Sequence, residues 1–156
     1  MISRRRFVAQ AAALGGALAV GAGPLRALQA GAPATLTVYK SRTCGCCEKW
    51  VDHVKAAGFN AVVHNDEDMD TVKDNLGVPR GVRSCHTAQV EKYLLEGHVP
   101  AEDIQRLLKE KPRVAGLAVP GMPASSPGMA VEGAPHQPFE TVTFQHDGTT
   151  ALYARH

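Results

Sequence analysis

Aromatic residues are scarce in this chain, three Tyr, four Phe and a single Trp among 156 residues. No basic run is interleaved with them, so both the stacking platform and the cationic stripe of a nucleic-acid-binding surface are missing. The formal charge of +2 does not supply one. Of the 17 basic residues, Arg4, Arg5, Arg6 and Arg26 precede Gly31, which leaves 13 against 15 acidic residues and a net charge of −2 beyond that point. Long apolar runs are also lacking. The longest, residues 9–22, is rich in Ala and Gly and falls short of the roughly 20 apolar residues that cross a bilayer. No solenoid-type repeat is present, so the chain has the length of one small domain.

The N-terminus has the form of an export leader. Ser3-Arg4-Arg5-Arg6-Phe7-Val8 is a basic region with a twin-arginine pattern, followed by the modest apolar stretch of residues 9–22. Small residues at Ala27, Ala30, Ala32 and Ala34 offer peptidase sites. Residues 1–32 are therefore read as a leader and 33–156 as the domain, with the cleavage bond left open. A twin-arginine route delivers a folded protein to the bacterial periplasm, and no stable membrane span is expected once the leader is removed.

Cysteine is sparse as well, four residues in all, but their distribution is not random. Three lie within Cys44-Gly45-Cys46-Cys47 and the fourth stands in Cys85-His86. Two structural disulfides are one reading, with three connectivities that sequence does not separate. A domain this long has little need of such staples.

Local patterns place the cysteines. Thr35-Leu36-Thr37-Val38-Tyr39 reads as a buried strand running into the cysteine loop. From Cys47, the apolar positions Trp50, Val51, Val54 and Ala57 recur at helical spacing, with Gly58 placed to end the helix. Ala61-Val62-Val63 reads as a second strand. Asp66-Glu67-Asp68 suits a helix N-terminus, Met69, Val72 and Leu76 form its expected buried stripe, and Gly77 its cap. Thr87-Ala88-Gln89-Val90 and Tyr93-Leu94-Leu95 read as antiparallel strands. A helix follows Pro100, with Ile104, Leu107 and Leu108 as its apolar face. The order βαβα-ββα is that of an α/β, thioredoxin-like fold with a mixed central sheet. A Pro/Gly/Met loop and a C-terminal hairpin around Asp147-Gly148 complete it, the hairpin either extending the sheet or packing as a separate ribbon.

In such a fold the cysteines sit at a strand-to-helix junction, where free N–H groups and the helix dipole stabilise thiolates. Cys44 and Cys47 have the spacing of a redox dithiol, yet that chemistry does not need Cys46. It does not need Cys85 either, which stands with His86 where thioredoxins place a cis-proline before the third strand. Sulfur-rich ligation suits Zn(II), Cu(I) or iron–sulfur clusters. Adjacent Cys46 and Cys47 converge awkwardly on one tetrahedral zinc, and ferredoxin spacings do not match. Crowded thiolates suit Cu(I), which accepts few ligands and bridging sulfurs.

The runs from Val38 to Trp50 through the CGCC element, Ser84-Cys85-His86-Thr87, Glu96-Gly97-His98-Val99-Pro100 and Gly116-Leu117-Ala118-Val119-Pro120-Gly121-Met122-Pro123 together resemble the CopG-like family of exported copper-resistance proteins. The resemblance extends over nearly the whole chain beyond the leader. It implies a periplasmic thioredoxin-like domain that holds copper through Cys44, Cys46, Cys47 and Cys85, as Cu(I) and in a multinuclear thiolate cluster or a simpler site. It also implies redox handling of copper and a periplasmic efflux or redox partner. A thiol-disulfide oxidoreductase built on Cys44 and Cys47, and a copper chaperone or storage module without turnover, are the alternatives.

Further candidates surround that set. His86 is a ligand, a proton carrier or the start of a strand, and His98 a site residue or a packed turn residue. Met122 and Met129, in near-duplicate Pro-Gly-Met runs, offer soft thioethers or an apolar cover for the site. His53 and His64 read as packing or surface residues, and His136, His146 and His156 form no metal motif.

Overall fold

A computed structural model describes residues 32–156; the leader through residue 31 lies outside the described residues. The elements run in the order β1 (Thr35–Lys40), α1 (Gly45–Ala56), β2 (Asn60–Asn65), α2 (Met69–Leu76), a 3₁₀ turn (Arg80–Val82), β3 (His86–Val90), β4 (Tyr93–Glu96), α3 (Ala101–Glu110), β5 (Gly116–Ala118), β6 (Glu140–Phe144) and β7 (Thr150–Arg155). The strands form one mixed α/β sheet in the order β2-β1-β3-β4-β5-β6-β7. β1 pairs parallel with β2 and β4 with β5, while the other neighbours are antiparallel. The C-terminal hairpin therefore extends the sheet, and β5 is the strand that admits it.

Alternation along the strands sends side chains to two faces. Leu36, Val38, Leu95 and Leu117 join Trp50, Val51 and Val54 of α1 and Ile104 and Leu107 of α3 in the larger core. Leu94, Ala118 and Phe144 face the other way, against Val78 and Val82 beyond α2. In β5, Gly116 leaves room for a close neighbour, since a Cβ there would lie 1.9 Å from the Leu94 carbonyl oxygen.

Two local expectations change. Helix α1 begins at Gly45, two residues before the expected start, so Cys46 and Cys47 occupy its first turn. In α2, Asp68 caps the N-terminus by accepting the Thr71 N–H at 3.0 Å, and Gly77 closes the helix in the left-handed conformation, as the pattern predicts. The stripe of Met69, Val72 and Leu76 is only half-buried, however, and the buried residue of α2 is Lys73.

His53 joins α1 to α3 by accepting the Ala101 N–H at Nε2, 3.1 Å away. Burial holds its pKa below 6.5 against the opposing pull of Glu102. A lowered folded-state pKa means that the unfolded chain binds the proton more tightly, so this contribution is complete above about pH 6.5 and is lost as pH falls toward the folded value. Chemical denaturation of metal-free protein between about pH 7 and 5 is expected to show a shallower loss of stability for His53→Gln, whose amide oxygen keeps an acceptor without titrating. An unchanged slope counts against the role.

Candidate metal centre

The CGCC element meets Cys85 because of strand register. Lys40, the last residue of β1, pairs with His86, the first of β3, so the turn after β1 and the segment before β3 emerge side by side. Cys44 takes the N-cap position of α1 in extended conformation, with no side-chain capping bond. Its neighbours Cys46 and Cys47 then lie beside the free N–H groups of the first turn, the surroundings that favour a thiolate. Cys44 and Cys47 are joined as a disulfide, with Cα atoms 5.3 Å apart. Cys46 and Cys85 are free thiols, both partly exposed. The Cys46 sulfur lies 3.5 Å from that of Cys44, and the four sulfurs are within 4.8 Å of one another.

A second group shares Cys85. The ligand atoms of Cys85, His86 and His98 also lie within 4.8 Å of one another. His86 Nδ1 is 3.3 Å from the Cys85 sulfur and His98 Nε2 is 3.0 Å from it. At 2.6 Å from the Pro127 carbonyl, His98 Nδ1 carries the donated proton, so Nε2 presents its lone pair to Cys85. His86 is fully buried, with Trp50 against its ring at 4.4 Å between centroids and Nε2 lacking a hydrogen-bond partner. Trp50 is held in turn by donating its indole N–H to the Val99 carbonyl at 2.8 Å.

Burial sets the protonation of this group in the absence of a cation. It pushes the Cys85 thiol up to about 11, with the Cys46 sulfur adding to the rise. It also carries His86 well below the ordinary imidazole value, reinforced by His98, Lys73 and Lys40. His98 is lowered by burial despite the Pro127 carbonyl. A neutral thiol beside neutral imidazoles is a soft donor set awaiting positive charge, and a bound metal cation favours release of the thiol proton.

The two methionine runs differ in placement. Gly128, at φ 86°, lies against the first turn of α1, where a Cβ would meet the Cys46 carbonyl oxygen at 2.7 Å and the Trp50 nitrogen at 2.8 Å. The run ending in Met129 therefore packs over the thiol-bearing turn, and Met129 itself is half-buried. Met122 is 44% exposed. Elsewhere, His64 stacks on Tyr39, His146 bonds the Gly77 carbonyl, His156 pairs with Asp103 at 2.8 Å, and His136 is exposed.

Sequence patterns missed Lys73 and Glu96, which pair at 2.5 Å beneath Cys85 with both side chains buried. Two signals were available: a lysine between the apolar positions of α2, and an acid ending the apolar run Tyr93-Leu94-Leu95. Trp50 was legible as a core residue but not as the wall behind His86.

Comparison with known proteins follows the same segments. A family model described as "Protein of unknown function, DUF411" matches residues 82–129, which contain Cys85, His86, His98 and both Pro-Gly-Met runs. No curated protein matches the chain. Two solved structures, named copper resistance protein CopG, form 1 and form 2, are each 40% identical to it, covering 80% of this chain and 98% of their own. Their TM-scores are 0.73 and 0.74.

Proposed function

From the premise that this chain belongs to the family of copper resistance protein CopG, we propose that it binds copper as Cu(I) through Cys44, Cys46, Cys47 and Cys85 and takes part in copper redox handling and detoxification. The observation that carries this reading is the gathering of four sulfurs within 4.8 Å at a helix N-terminus. Thiolates are soft donors that suit Cu(I), and sulfurs this close can bridge more than one ion. His86 and His98 add nitrogen donors beside Cys85, and Met129 supplies either a cover or a further soft donor. Reduction of the Cys44–Cys47 disulfide takes two electrons and two protons and frees two thiols, so copper capacity depends on the redox state of the chain. The twin-arginine leader supports a periplasmic location, where an efflux or redox partner would exchange copper or electrons with it. Its βαβα-ββα order supports a thioredoxin-like domain with CGCC in the redox position. No helix among the described residues is long and apolar enough to cross a membrane.

Metal analysis of protein reduced and reconstituted with Cu(I) under anaerobic conditions is expected to give at least one copper per chain, with lower loading in Cys46→Ser. Less than one copper per chain, or unchanged loading in that variant, contradicts the reading.

The disulfide itself favours a second reading, a thiol-disulfide oxidoreductase of thioredoxin-like type. It predicts efficient disulfide exchange with metal removed and full activity without Cys85. The copper reading predicts neither.

A further inference from the structure

Every residue of Ser84-Cys85-His86-Thr87 is held by the single short segment Glu96-Gly97-His98. Glu96 accepts the Ser84 N–H at 2.6 Å through Oε1 and the Thr87 hydroxyl at 2.6 Å through Oε2. Its carboxylate therefore grips the chain on both sides of Cys85-His86. The Gly97 N–H donates to the His86 carbonyl at 2.9 Å, and His98 meets the Cys85 sulfur. Gly97 adopts φ 72°, and a Cβ there would strike Ser84 Oγ at 2.7 Å and the Val119 carbonyl oxygen at 2.9 Å, so the two segments touch with no side chain between them. From α2, Lys73 donates to Glu96 Oε1 at 2.5 Å and to Thr87 Oγ1 at 2.8 Å, closing the network.

We propose that Lys73, Glu96 and Thr87 form a clamp that fixes Cys85 in the place from which it meets the α1 thiols, making them positioning residues for the site. Their location argues for this more than stability does. Well-packed apolar residues commonly replace a buried ion pair without loss of stability, so the polar pair needs another reason to stand here. The carboxylate supplies that reason: two of its bonds end on the backbone and side chain that flank Cys85, which no apolar replacement reproduces. What Cys85 is used for rests on the copper reading, but the clamp itself can be tested without metal.

The test is iodoacetamide labelling of metal-free protein with the Cys44–Cys47 disulfide intact, read by peptide mass spectrometry as the rate at Cys85 relative to Cys46. The double variant Lys73→Met/Glu96→Leu leaves no unpaired buried charge, and Thr87→Val is nearly isosteric. Both are expected to raise the ratio about tenfold or more, because a thiol released from its aim becomes accessible. Thr87→Ser, which keeps the hydroxyl, is expected to stay within about twofold of wild type. An unchanged ratio in the first two variants overturns the clamp, as does an equal rise at Cys46, the mark of general loosening. Cu(I) loading is measured on the same preparations. If the wild type takes up no Cu(I) while the labelling ratio shifts as expected, the copper reading fails and the clamp stands.

Discussion

Cys85→Ser protein is expected to retain Cu(I) about 100-fold more weakly than wild type, the largest loss from any single change in the site. Cys85 is the donor common to both groups, lying with the three α1 sulfurs on one side and with His86 and His98 on the other. Serine preserves most of the volume and offers an oxygen, a hard donor poorly matched to Cu(I). Its substitution therefore removes a soft ligand and separates the imidazoles from the remaining sulfurs. Losing a histidine leaves the four sulfurs together, so His86→Ala and His98→Ala should weaken retention less. Competition against a Cu(I)-specific chelator, with all proteins fully reduced, measures the difference. If Cys85→Ser stays within about threefold of wild type, equivalent to well under 1.4 kcal/mol, Cys85 is not a ligand.

The second large effect is on stability. Glu96→Leu alone strands the Lys73 ammonium in a site where its side chain is only 4% exposed. Breaking a buried pair in this way costs about 3–5 kcal/mol, whereas replacing both partners with apolar residues is often neutral. For a domain of this size the single variant should melt roughly 10–20 °C lower, at about 4 °C per kcal/mol. Lys73→Met/Glu96→Leu should recover most of that loss. Calorimetry of metal-free proteins provides the comparison. A single variant that melts within a few degrees of wild type would show that water or a rearranged partner already compensates the charge. The recovered double variant also permits the Cys85 labelling test, because it separates a folded chain from a correctly aimed thiol.

Different parts of this architecture were legible to different degrees. β1 to β4 and the three helices follow from local patterns: β-branched runs for the strands, apolar residues at helical spacing, and Asp68 and Gly77 as helix stops. β5 escaped because three residues, one of them glycine, are too few to show alternation. Only through β5 could the Asp147-Gly148 hairpin be seen to extend the sheet. The four cysteines were readable from their clustering and from the order of elements. His98 was ambiguous for a physical reason: what turns its Nε2 toward Cys85 is a bond to the Pro127 carbonyl, 29 residues further along the chain. Lys73 and Glu96 were hidden for a similar reason, since charged residues on a helix and at a strand end are ordinarily solvated. Their partnership exists only after α2 packs beside β3 and β4.

Copper K-edge X-ray absorption on the anaerobically reduced, Cu(I)-loaded protein tests the central claim most directly. The account predicts a first shell dominated by sulfur that loses intensity in Cys46→Ser and Cys85→Ser, and short copper–copper scattering if the sulfurs bridge several ions. A shell of nitrogen and oxygen alone, unchanged by those two substitutions, would contradict it.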